Sequence, residues 1–209
     1  SEFLLGVLFT VRMLCFALLQ PVSGLLADRM NRKHIMIVSN VLQVFLALCF
    51  LGVNGPEDIW WMLGLSGVMM LLHGAYVTAE RAALPNIVSE EHLATANALD
   101  AASWSSALCI GAMVGGIVVE LYGVEAAFII DSLTFLLSAV LLIPLTLPQT
   151  VGDEMKGPLL STAAKNIRNG LRRILEESRL LRVVFAKASW NVAGGGLAGV
   201  FLVVAGSDV

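Results

Sequence analysis

GLLADRMNRK, residues 24–33, places Asp28, Arg29, Arg32 and Lys33 between two apolar runs, and His34 follows directly. Such a cluster would be ordinary in a soluble protein. Here it stands out, because the 209-residue chain is 57% hydrophobic and only 14% charged, with mean hydropathy +0.83. Soluble domains carry about 25% charged residues. The flanking runs reach the roughly 20 residues that a helix needs to cross a bilayer. Lipid offers no partner to open backbone, so spanning segments must bond internally. Long apolar runs indicate helices, where a barrel would give short alternating strands. The expectation is an all-α integral membrane protein, with the lipid bilayer as its first partner.

Outward from this stretch, six spans can be drawn, over 3–26, 35–53, 59–78, 98–121, 126–147 and 183–204. The connections between them alternate in charge. The second, NGPED (54–58), and the fourth, YGVE (122–125), hold no Lys or Arg. The first, third and fifth hold all but one of the 13 basic residues, counting Lys187 just past the fifth. The positive-inside rule puts these odd connections in the cytoplasm, so the first span enters from outside. The fifth connection is more than a tether. Leu160, Ala163, Ala164, Ile167, Leu171, Ile174 and Leu175 recur at helical spacing, opposite Lys165, Arg168, Arg172 and Arg173. That pattern predicts an amphipathic helix on the cytoplasmic membrane surface.

A net charge of -3 suggests no nucleic-acid partner. Cys15, Cys49 and Cys109 lie in apolar runs without CxxC spacing and read as small buried hydrophobes. No HExxH, P-loop or nucleophile elbow occurs, and AGGGLAG (193–199) lies inside a span rather than after a strand. The expectation is therefore no enzyme, no catalytic residue, no metal and no cofactor.

The residue types in 24–33 have physical uses. Gly24 lets two helices approach closely. Asp28, near a helix end, can meet a cation or a helix N-terminus. Arg29, Arg32 and Lys33 hold the loop inside and can pair with acids on a neighbouring helix. Asn31 suits a left-handed bend. The stretch matches G-x-x-x-D-R-x-G-R-[RK] except at Asn31, and so resembles the signature loop of the major facilitator superfamily. ERAALPNIVSEEHLATANAL (80–99), AASWSSALCIGAMVGGIVVELYG (101–123) and AAFIIDSLTFLLSAVLL (126–142) are similar to its drug–proton antiporter branch, which includes macrolide and enterobactin exporters. Gly111, Gly115 and Gly116 partly match that branch's G-P-x-x-G-G motif, with Ala112 in the proline's place.

The resemblance covers nearly the whole chain and implies a fragment: the second to seventh of twelve transmembrane helices. Residues 1–147 are then five spans of an N-terminal helix bundle lacking the family's first helix. Residues 148–182 form a cytoplasmic amphipathic connector, and 183–209 hold the first span of the C-terminal bundle. It also implies that residues 24–33 latch the two halves during alternating access. The implied protein is a proton-coupled exporter of small amphipathic molecules in the cytoplasmic (inner) membrane of a prokaryote, monomeric at full length. Alternatives are a lysolipid or siderophore carrier of the same fold, or a membrane scaffold or sensor that transports nothing.

Ionisable groups within spans are costly and prompt functional hypotheses. Arg12 either neutralises an acid or faces a cavity. Asp131 either titrates with coupling protons or pairs structurally. His73 either bonds a neighbouring helix or relays protons. Gly111, Gly115 and Gly116 serve helix packing or bending. Asp100 reads as an acid at a helix N-terminus. Glu80 and Arg81 lie where the signature loop can reach them. Trp60, Trp61 and Tyr122 fit an outer aromatic belt, while Trp104 and Trp190 either pack or line a cavity.

Overall fold

The structure, a computed structural model, describes residues 2–147 and 159–190. Among them every regular element is helical. The chain divides into two compact units, Cys15–Met155 and a second made of Ser1–Leu14 with Lys156–Val209.

The first unit opens on most of α1 (Glu2–Arg29), and α2 (Arg32–Cys49) follows after only Met30 and Asn31. The signature stretch is thus hardly a loop. Asp28 and Arg29 end one helix, and Arg32 and Lys33 begin the next. Asn31 does not make the left-handed bend expected of it. Its φ is -63° and its ψ 115°, and its side chain accepts a hydrogen bond from the His34 N–H at 3.3 Å. It therefore caps α2, a role for which Asn ranks with Asp and Ser.

α2 is turned inside out relative to a water-soluble helix. Ser39, Asn40 and Gln43 are buried along one face with Ile35, Met36 and Ala47. The opposite face presents Val38, Leu42 and Phe45, the last 61% exposed. Lipid tails reward apolar exposure and punish unpaired polar groups, so polar side chains turn inward to find partners. Asn40 Nδ2 donates to Ser138 Oγ at 2.8 Å, joining α2 to the helix that carries Ser138. Such interhelical bonds average about 0.6 kcal/mol in membranes, with an upper end of about 1.7 kcal/mol. An Asn40→Ala/Ser138→Ala double-mutant cycle on unfolding should therefore return a coupling of about 1 kcal/mol. A coupling of zero would leave this pair no share in holding the helices together.

α3 (Ile59–Ile87) runs nine residues beyond the span drawn to residue 78, taking in Glu80, Arg81 and Pro85. Only Val88 and Ser89 and a 3₁₀ turn, Glu90–His92, separate it from α4 (Leu93–Leu142). The third connection is mostly helix because charged residues continue a helix readily once it has left the apolar layer. Asp100 consequently lies two turns inside α4 and not at a helix N-terminus, which removes the dipole reading of that acid.

α4 contains 50 residues. As one straight rod it would measure about 75 Å, more than twice the roughly 30 Å hydrocarbon layer. Gly123, at φ 84° and ψ 170°, resolves this by breaking α4 into arms over 93–122 and 124–142. These arms are the fourth and fifth drawn spans, and YGVE is the turn between them. At that end the Phe50 and Phe128 rings stack with centroids 5.0 Å apart, joining the end of α2 to the second arm. α2 is the central helix of this unit, with α3 on one side and α4 on the other. Its core lies at the opposite end, where Ala27, Ile35, Met36, Ala79 and Leu142 meet.

In the second unit, α5 (Leu159–Glu176) lies where the amphipathic connector was expected. α6 (Ser178–Trp190) begins five residues before the sixth drawn span. The rest of that span, including AGGGLAG, lies outside the described residues, as does the Trp190 side chain. Four helices among the described residues are long and apolar enough to cross a membrane, and α5 is not among them.

Candidate functional site

The signature stretch draws several helix ends together. Arg32 Nε donates to the Ala27 carbonyl of α1 at 3.2 Å, and Arg32 Nη1 donates to the Ala82 carbonyl of α3 at 2.7 Å. Lys33 Nζ donates to the carbonyl of Ile143, which caps α4, at 2.5 Å. Ala27 and Ile143 lie at helix C-termini, where carbonyls lack intrahelical donors and the helix dipole is negative. Ala82 lies beside a further gap, since Pro85 has no N–H for the Arg81 carbonyl and leaves that turn of α3 one bond short. Two cations in the first turn of α2 oppose its own dipole, at about 0.3–1 kcal/mol each. Hydrogen bonds from charged donors contribute about 1.5–3 kcal/mol each, so the junction outweighs that cost. These three acceptors are all backbone oxygens. Asp28 lies exposed in the last turn of α1, and no partner for its carboxylate lies among the described residues.

Next to this junction a cleft of about 540 Å³ opens between α1, α3 and the first arm of α4. Phe16, His73 and Trp104 provide aromatic walls, Glu80 and Asp100 carboxylates, and Arg81 a cation. The Phe16 and His73 rings lie 6.1 Å apart between centroids at a 33° tilt. α1 and α3 approach closely at Gly74, where an added methyl group would touch the Phe16 ring at 3.4 Å. One turn on, the single proton of the Thr78 hydroxyl is shared between the Gly74 carbonyl at 2.8 Å and Gln20 Oε1 at 3.0 Å. Aromatic surface beside a few convergent charges is the usual make-up of a small-molecule site.

A family model described as Major Facilitator Superfamily matches residues 1–207. The chain belongs to the major facilitator superfamily. Among its curated relatives, the "Uncharacterized MFS-type transporter YfiS" of Bacillus subtilis (strain 168) is 31% identical over 134 residues, 62% of this chain and 31% of that protein. The "Multi-drug resistance efflux pump PmrA homolog" of Lactococcus lactis subsp. lactis is 27% identical over 138 residues, 66% of this chain and 33% of that protein. The "Multidrug resistance protein MdtG" of Yersinia enterocolitica is 25% identical over 193 residues, 92% of this chain and 44% of that protein. The chain thus spans about a third to under a half of the relatives it matches. No solved structure matches.

Membership of the superfamily fits the all-α bundle and the position of the signature stretch. The site residues expected from sequence fall in several places. Arg32 and Lys33 join helices, Arg29 is half-buried beside them, and a methyl group at Gly24 would meet nothing within 4 Å among the described residues. His73 lies in the cleft. Arg12 is half-buried in the part of α1 that belongs to the second unit. Asp131 is exposed on the second arm of α4, where its carbonyl accepts from the Thr134 hydroxyl at 2.7 Å. Gly111, Gly115 and Gly116 have open space around them among the described residues. Sequence reasoning missed Gly74, Thr78 and Gln20. Their signal was a small residue and two polar ones at matching depth in neighbouring apolar spans.

Proposed function

We propose that the full-length protein is a secondary active exporter of small amphipathic molecules, driven by proton entry and working by alternating access in the cytoplasmic membrane of a bacterium. The junction built by Arg32 and Lys33 carries this reading, because it ties α2 to three other helices through bonds that a change of state can release together. The names of its relatives, an efflux pump homolog and a multidrug resistance protein, support export. Asp28, Arg29 and Gly24 complete the latch in this reading, with Asp28 exposed to meet a second surface. Glu80, Asp100 and His73 share the aromatic cleft and are the first candidates for proton coupling, with Arg12 and Asp131 as further ones. Gly111, Gly115 and Gly116 supply bending in the first arm of α4. Residues 148–182 lie on the cytoplasmic side, and the protein works as a monomer.

The test uses full-length protein in proteoliposomes with an imposed pH gradient. Substrate-stimulated proton flux that reverses sign with the gradient is the expected result. Lysolipid or siderophore movement with no flux for cationic or neutral drugs would redirect the reading to a carrier of those molecules. No substrate-dependent flux for any of them would leave the membrane scaffold.

A further inference from the structure

α5 and α6 concentrate positive charge in a chain that is net negative. Residues 159–190 hold seven Lys and Arg against two Glu, whereas the whole chain has 13 Lys and Arg against 16 Asp and Glu. On α5 the apolar residues Ala163, Ala164, Ile167, Leu171, Ile174 and Leu175 fall within about a third of the helix circumference at 100° per residue. Its large apolar side chains face outward: Ile167 is 41% exposed, Leu171 55% and Leu175 65%. The helix is too polar overall to span a membrane. A sided helix of low overall hydrophobicity with a cationic polar face lies in a bilayer interface. Arg172 is occupied by Glu176, with Nε donating to Oε1 at 2.7 Å. Lys165, Arg168 and Arg173 are exposed.

We propose that α5 is an anionic-lipid contact, the exposed apolar residues Ala164, Ile167, Leu171 and Leu175 seated at the headgroup–acyl boundary and Lys165, Arg168 and Arg173 engaging lipid phosphates. Charge complementarity selects this occupant. The apolar arc alone would accept any bilayer, whereas cations near the surface favour a leaflet carrying anionic headgroups. The proposal stands apart from export, because it concerns only where the connector lies.

The test replaces Cys15, Cys49 and Cys109 with serine and places a spin label through Leu171→Cys, or through Asn169→Cys on the opposite side of α5. The protein is reconstituted in vesicles of phosphatidylcholine alone or with added phosphatidylglycerol. At about 0.01 M salt, the label at position 171 should be several-fold better protected from an aqueous relaxing agent in the phosphatidylglycerol vesicles than that at 169. The protection should fall at about 1 M salt, where charges are screened within roughly 3 Å. A Lys165→Gln/Arg168→Gln/Arg173→Gln variant should show the low-protection value in both vesicles. A label introduced by Phe45→Cys, on the exposed apolar face of α2, verifies that the bundle has inserted. Equal protection in the two vesicle types, or equal protection at 171 and 169, would overturn the proposal. So would protection that appears only on adding polyglutamate, since the face would then belong to an acidic protein.

Discussion

Replacing Arg32 with glutamine is expected to lower transport by the full-length protein at least tenfold while leaving membrane insertion intact. The reason lies in the two carbonyls that one guanidinium bridges, Ala27 in α1 and Ala82 in α3. Charge-assisted bonds contribute about 1.5–3 kcal/mol each. In the proposed cycle, loss of one such bond shifts the balance between latched and unlatched states by about tenfold or more, at 1.4 kcal/mol per decade. Glutamine keeps a donor but not the charge or the fork. Lysine keeps the charge but has one nitrogen in place of the fork that reaches both carbonyls, so Arg32→Lys should fall between the two. The thermal midpoint of the purified protein should follow the same order. The comparison with Asp28→Asn separates two roles. Asp28 holds nothing together among the described residues, so this variant should reduce transport without moving the midpoint. If Arg32→Gln transports and melts like the parent, the junction has no part in the cycle.

The second large effect is expected at Gly123. Its φ of 84° with ψ of 170° lies in a region that essentially only glycine occupies, outside the left-handed helical well that Asn also visits. Gly123→Ala should therefore lose about 1–3 kcal/mol of stability, and Gly123→Asn should give no relief. Nothing within 4 Å crowds a Cβ there, so the cost is backbone strain and not a clash. Gly64→Ala provides the control. Gly64 is helical with equally open space around it, and alanine there should be neutral or favourable. Unfolding midpoints and folded yields measure both. A Gly123→Ala protein as stable as Gly64→Ala would show that the two arms of α4 do not need this turn.

These expectations also mark what the sequence could convey. Long apolar runs and the placement of cations revealed the spans, because length and hydropathy are one-dimensional properties. YGVE was readable as a turn, since a glycine between two full-length apolar runs leaves little else to break the chain. The partners of Arg32 and Lys33 were not readable, because a backbone carbonyl has no letter of its own. The ends of folded helices supply such acceptors, and no residue type marks them in advance. The course of α3 past residue 78 was hidden by Glu80, Arg81 and Pro85, three residues that suggest a loop when read singly. The cleft was hidden for a related reason. His73, Glu80, Asp100 and Trp104 come from two helices separated by a turn, and only packing brings them to one wall.

Because Arg32 and Lys33 grip main-chain oxygens, the side chains of Ala27, Ala82 and Ile143 take no part in these bonds, and Ala27 is kept small by the core around it instead. Covariation between side chains would therefore not reveal these three bonds. A genetic screen should behave in the same way. Loss of Arg32 should be rescued by a new donor brought within reach of the Ala82 carbonyl, and not by a change of side chain at position 82.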